Sequence, residues 1–184
     1  MQEYLKAVKC YDQAIKFNPK HAQAYNKRGL AKRNLDLYQE ALIDYNQAIA
    51  LNPNDPDPYC NRGAVQWRLS HSLLALQDYQ KALQLDPQDA NTYYNRGILY
   101  YHEVPKNTAT RKDNTYKALQ NFNKSIELDS SLVDVYLIRG KTYVLLGKNQ
   151  KALADFKKAK ALALKEPKAN AKILKKINEE LQKF

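Results

Sequence analysis

Four arginines stand in one recurring local setting. The stretches YNKRG at 25–29, YCNRG at 59–63, YYNRG at 93–97 and YLIRG at 136–140 each place a tyrosine three residues before Arg28, Arg62, Arg96 or Arg139, and a glycine directly after it. Sixteen residues beyond three of these arginines lies a carboxylate, namely Asp44, Asp78 and Asp155. The third counterpart, displaced by nine extra residues, is Asn121. A guanidinium presents its donors in a planar fork and holds a carboxylate by two parallel hydrogen bonds. Such a row can serve as a set of structural ion pairs or as a ladder of anion receptors. Aspartates already paired to it would leave little positive charge for a ligand. The expectation is therefore a repeated Arg–carboxylate pair joining two helices (Arg28 to Asp44, Arg62 to Asp78, Arg139 to Asp155), with a weaker amide partner in the third copy.

Other chemistries lack their residues. His21, His71 and His102 are isolated, and Cys10 and Cys60 lie too far apart to chelate, so no metal site is expected. The segment Ser70-His71-Ser72 resembles no catalytic constellation, and no glycine-rich phosphate loop is present. The reading is of a chain that is not an enzyme and takes no cofactor. Two cysteines make no disulfide framework and are expected to be reduced thiols in a cytoplasmic compartment. No apolar run approaches the 18–20 residues of a membrane span, and Glu3, Lys6, Lys9 and Asp12 interrupt the place of a signal-peptide core. The net charge of +11 is uneven: between Lys141 and Phe184 twelve lysines face only Asp155, Glu166, Glu179 and Glu180, giving that segment +8.

The elements that position the arginines follow from the spacing. Tyr25, Tyr59 and Tyr93 are 34 residues apart, as are Pro19, Pro53 and Pro87. Each unit continues with alanine, three residues and an aromatic: Ala41 to Tyr45, Ala75 to Tyr79, Ala118 to Phe122, Ala152 to Phe156. Three residues on comes another small one: Ala48, Ala82, Ser125, Ala159. Spacings of three and four are helical, so each unit holds two helices. A glycine within a helix costs about 1 kcal/mol relative to alanine, and four in register imply a gain from close helix approach.

This pattern resembles, over almost the whole chain, the tetratricopeptide repeat family, whose signature is Trp-x2-Leu-Gly-x2-Tyr, then Ala-x3-Phe, then Pro; here it reads Tyr25-x2-Arg28-Gly29, Ala41-x3-Tyr45 and Pro53. The family usually has leucine where these arginines stand. The resemblance implies an all-α, right-handed α-solenoid of antiparallel helix pairs, about four and a half repeats plus a capping helix. Residues 1–21 read as a half repeat whose first helix is missing, 22–55, 56–89, 90–132 (with the nine-residue insertion) and 133–166 as full repeats, and 167–184 as a capping helix with Pro167 at its start and Ile173, Leu174, Ile177 and Leu181 as its apolar stripe. The chain is accordingly expected to be a piece of a longer protein. Tyr4, Val8, Tyr11 and Ile15 would face nothing, and this open edge could support self-association as an assembly module.

In this family the first helices line a concave groove that holds a partner's peptide or helix, so the expected function is that of a protein–protein interaction adaptor or scaffold. The groove positions carried over are Gln23, Asn26, Lys27, Leu30 and Arg33; Asp57, Asn61, Ala64, Trp67 and Arg68; Asn91, Tyr94, Asn95, Ile98, Tyr101 and His102; and Asp134, Leu137, Ile138, Lys141 and Val144. Asparagine amides can bind a peptide N–H and C=O together, and Trp67, Tyr94 and Tyr101 supply amphipathic anchors, unless Trp67 and Tyr101 simply pack between units. Co-chaperones that clamp acidic chaperone tails use a Lys/Asn pattern whose places here hold Asn26, Leu30, Asn61, Asn91 and Asn95; only Asn61 matches, so a heat-shock-chaperone tail clamp is not expected. The insertion HEVPKNTATRKDNT at 102–115 lacks helical periodicity and reads as a loop, either tolerated or carrying contacts. The basic tail offers electrostatic docking to an acidic partner, nucleic acid or membrane surface as the alternative function. Glu179 and Glu180 break its run, and stacking aromatics are absent apart from Phe184, which disfavours nucleic acid and membrane.

Overall fold

The computed structural model describes residues 1–103 and 108–184, with side chains left aside over 104–111. The described residues form ten helices and no strand. They divide into two compact units, Met1–Gln88 and Asp89–Phe184.

The first unit holds α1 (Gln2–Phe17), α2 (Ala22–Asn34), α3 (Tyr38–Leu51), α4 (Pro56–Arg68) and α5 (Ser72–Leu85). Helix α2 pairs closely with α3 and α4 with α5, while α3 also packs on α4 and α1 on α2. The second unit holds α6 (Ala90–His102), α7 (Thr108–Leu128), α8 (Val133–Leu145), α9 (Asn149–Ala163) and α10 (Ala171–Leu181). There α6 pairs with α7 and α8 with α9, and α10 packs on α9. Short turns make the partners antiparallel. In each unit the first helices of successive pairs, α2 and α4 or α6 and α8, also touch and so share one face.

Local chemistry sets the ends. Asp55 and Asp89 cap α4 and α6 by accepting from backbone N–H groups of the first turn, and Pro56 stands at the head of α4. After the second helices, Asn18, Asn52, Asp86 and Asp129 each accept from the backbone N–H two residues on, forming Asx turns. Inside three pairs the turn passes through a left-handed residue, Asp36, Ser70 or Gly147, with φ between 60° and 67°; at that conformation only glycine is free of steric cost.

The core explains the repeated glycine. A Cβ on Gly29 or Gly63 would lie 2.8 or 2.9 Å from the ring of Tyr45 or Tyr79, and one on Gly97 or Gly140 would lie 2.6 or 2.5 Å from that of Phe122 or Phe156. All four rings are fully or almost fully buried, so each seats in the notch of the glycine opposite it. Burying such a ring contributes about 1.5–3 kcal/mol, which outweighs the helical cost of the glycine. Ala41, Ala75, Ala118 and Ala152 are wholly buried beside these rings.

Three expectations are corrected. The 102–115 segment is not all loop: α7 starts at Thr108 and runs 21 residues against 14 in α3 and α5, so most of the extra length extends its head. Lys117 meets Asp113 at 2.6 Å four residues back, a pairing that supports helix where apolar periodicity is missing; Pro105 lies outside the described residues. The closing helix begins at Ala171 rather than Pro167, because 167–170 form turns in which the Asn170 amide donates to the Ala163 carbonyl at 3.2 Å. In α1, Val8, Tyr11 and Ile15 are half-buried rather than bare, since α2 covers one side of them; Met1, Tyr4, Leu5 and Phe17 are the exposed apolar residues of this helix end.

Candidate partner-binding face

The arginine row is a set of helix staples. Arg28 on α2 donates from Nε and Nη2 to the two carboxylate oxygens of Asp44 on α3, at 3.0 and 2.6 Å. Arg62 holds Asp78 at 2.9 and 2.6 Å, and Arg139 holds Asp155 at 2.8 and 2.7 Å. Asp44, Asp78 and Asp155 are buried, so each needs this partner. In the third pair Arg96 donates from Nε to Asn121 at 2.8 Å, and the Asn121 amide turns its N–H to the Lys117 carbonyl. Each guanidinium also lies 5.4–5.7 Å from the ring of the tyrosine three residues before it, a cation–π contact that accounts for the tyrosine in the motif.

A third bond escaped sequence reading. Nη1 of Arg28, Arg62 and Arg139 donates backward to Asp12, Asn46 and Asn123, at 2.7, 2.6 and 2.9 Å. These acceptors lie sixteen residues before the arginine, each directly after an aromatic, and that spacing was the available signal. Each of the three arginines thus joins its own helix to the helix before and the helix after. The Asp44 hydrogen bonds chiefly raise the Arg28 pKa above its ordinary value. At Arg139 burial works against the cation and Asp155 more than offsets it. Donors consumed in this way suit a structural role.

The shared face of the first helices is built differently in each unit. In the first, Asn26 is buried and its carbonyl oxygen accepts from the Asn61 amide at 3.1 Å, while Arg33 donates to Asn61 at 3.4 Å. Asn26 therefore spends its amide between helices and does not present it outward as the family positions imply. Lys27 and Arg68 are exposed, and Trp67 is half-buried with the Arg68 guanidinium 5.6 Å from its ring.

In the second unit Asn91 and His102 are exposed, and Tyr94, Asn95 and Tyr101 are half-buried. Tyr94 packs 6.3 Å from Phe122, and burial pushes its hydroxyl up to about 12. Tyr101 meets His102 edge-on at 5.2 Å. Lys141 is tied to Glu180 of α10 at 3.2 Å, so the closing helix contributes to this lining. Asn91, Tyr94 and the stretch 132–135 bound a cavity of about 110 Å³. Among the described residues no group of three His, Cys, Asp or Glu side chains could hold a metal, and no helix is long and apolar enough to cross a membrane.

Comparison with known proteins agrees with this architecture. A family model described as TPR repeat matches residues 1–36, 37–70 and 74–102, and one described as Tetratricopeptide repeat matches 133–166. No curated protein matches the sequence. Among solved structures the chain is similar to MamA (21% identity, 91% of this chain and 92% of that one, TM-score 0.72) and to PilW, described as a type IV pilus biogenesis factor (21%, 98% and 86%, 0.73). It is also similar to YrrB, described as a TPR protein with an unusual peptide-binding site (24%, 90% and 80%, 0.63). At these identities the likeness speaks for the fold. With its glycine notches, alanine positions and helix pairs matched over more than half its length, the chain belongs to the tetratricopeptide repeat family.

Proposed function

We propose that the chain is a non-enzymatic scaffold that holds a segment of a partner protein, a peptide or a helix, on the face that the first helices share within each unit. The observation that carries this reading is the make-up of that face. In the first unit exposed Lys27 and Arg68 accompany half-buried Trp67, and in the second exposed Asn91 and His102 accompany half-buried Tyr94 and Tyr101, so in each unit polar donors go with amphipathic rings as they do at binding hot spots. Neither Cys10 nor Cys60 is in a disulfide, which fits a reducing, cytoplasmic setting. The chaperone-tail clamp is not part of this reading, because the buried Asn26 and Leu30 replace the donors it needs.

A variant that tests the face must leave the fold intact. Asn61→Ala would strand the buried Asn26, so the exposed positions serve better. Capture from source lysate with the wild type is compared with Lys27→Glu/Arg68→Glu/Asn91→Ala, both folded by circular dichroism. A partner kept by the wild type and lost by the variant supports the reading; identical capture sinks it.

One observation favours a second reading. Lys157, Lys158, Lys172, Lys175 and Lys176 of α9 and α10 are exposed, whereas Lys141 and Lys183 are tied to Glu180. Docking through this basic surface to an acidic partner would weaken steeply with salt and would be lost in Lys157→Glu/Lys158→Glu/Lys175→Glu while surviving the changes on the shared face.

A further inference from the structure

The cavity between α6 and α8 combines groups that select one kind of side chain. Its walls are Asn91 and Tyr94 from α6, with Leu132, Val133, Asp134 and Val135 from the entry of α8. At about 110 Å³ it exceeds the roughly 30 Å³ share of one water and takes the head of a side chain rather than a length of backbone. Leu132 and Val133 are half-buried and Val135 is buried, which makes one wall apolar. Tyr94 adds an aromatic wall, and the exposed Asn91 and Asp134 set an amide and a carboxylate at the mouth. An apolar stem with a cationic tip is the complement of such a site.

We propose that this cavity is a subsite for a lysine or arginine side chain of the bound segment, a proposal that rests on the shared-face reading above. The stem lies along Leu132, Val133 and the Tyr94 ring. The cationic N–H groups donate to the Asp134 carboxylate and the Asn91 carbonyl oxygen.

The surrounding charges agree. Desolvation raises the Asp134 carboxyl above its ordinary value, with Lys176 of α10 opposing the rise. An arriving cation adds to that opposition and favours the ionised form. Asp134 also stands in the first turn of α8, where the helix end favours a carboxylate. An acidic side chain entering here would meet that carboxylate at short range. The Tyr94 hydroxyl, held up to about 12, stays neutral and donates or accepts a hydrogen bond. The chain's net charge of +11 repels a generally basic partner, but surface charges more than about 10 Å away are largely screened at 0.1 M salt. The site therefore suits one basic residue within a neutral or acidic segment.

The test is amide-resolved NMR on the whole chain, titrated with the Nα-acetyl, C-methylamide forms of lysine, arginine, norleucine and glutamate. Lysine and arginine are expected to shift the Asn91, Tyr94, Asp134 and Val135 signals, and norleucine and glutamate are not. Asp134→Asn, with the rest of its spectrum unchanged, should weaken the lysine response about tenfold, as expected for losing a charge-assisted bond. An equal response to norleucine or glutamate, an unchanged response in Asp134→Asn, or silence toward all four probes overturns the proposal. Silence here while the variant on the shared face still loses its partner removes only the subsite. A lysine response in a chain whose variant keeps every partner removes the scaffold reading instead.

Discussion

Helix α10 of the second unit seats Ile177 with no exposure, and Ile173, Leu174 and Leu181 pack with it against a cluster that includes Tyr136, Leu137, Ala152 and Phe156. Helix α1 of the first unit buries no residue, although it repeats the Ala-x3-aromatic spacing with Ala7 and Tyr11. The difference lies in the neighbours. A helix in a stacked array closes its apolar stripe by meeting a second helix on each side. Helix α10 packs on α9 and reaches side chains of α8, whereas among the described residues the main neighbour of α1 is α2. The same alphabet of residues thus fully buries a side chain in α10 and leaves those of α1 half-covered.

The largest expected effect comes from challenging these two ends in parallel. Ile177→Ala should cost about 2–4 kcal/mol, the usual range for a buried branched side chain. Val8→Ala, on a half-covered helix, should cost less than about 1 kcal/mol. Urea unfolding of both variants measures this, and equal losses would dissolve the contrast between the ends.

The second unit answers its arginines in two ways, Arg96 with Asn121 and Arg139 with Asp155, and one substitution turns one case into the other. Asp155→Asn should adopt the arrangement seen at Asn121, keeping one bond to the arginine and turning its N–H to a carbonyl of its own helix. With one charged acceptor lost at a largely buried site, a destabilisation of about 1–2 kcal/mol is expected. Thermal unfolding with no loss would show that the carboxylate and the amide are interchangeable here.

The smallest effect concerns the glycine notch, filled by Tyr45 and Tyr79 in the first unit and by Phe122 and Phe156 in the second. The Tyr45 hydroxyl is buried without a hydrogen-bond partner among the described residues. Tyr45→Phe removes an unsatisfied group and should stabilise the chain by about 1 kcal/mol. A loss of stability of that size in urea would show that the hydroxyl has a partner after all.

Much of this was legible in the sequence because repetition averages out local ambiguity. The 34-residue period, the glycines in register and the Arg–Asp offset each occur several times, and a coincidence does not recur in register. Apart from the backward bonds of the arginines, the parts that eluded reading occur once. The head of α7 is helical without apolar periodicity, because polar residues and an Asp113–Lys117 pair support it. The turns at 167–170 delay α10 although Pro167 is well suited to begin a helix. The shared face was legible as a set of positions. Which of them stay open was not, because the Asn61–Asn26 bond and the Lys141–Glu180 pair form between residues 35 and 39 apart in the chain, and no repeated offset announces them. The position of Asp134 beside Tyr94 has the same origin.

The arginine staple bears on how such a chain can grow. Its acceptors lie sixteen residues before and sixteen after it, a span that fits within one 34-residue period. A segment of one period, cut anywhere between Asp12 and Asp78 and copied in tandem, therefore restores an arginine with both acceptors at the join. Duplication of the coding segment needs no favoured breakpoint within that stretch, and each new copy arrives already fastened to its neighbours.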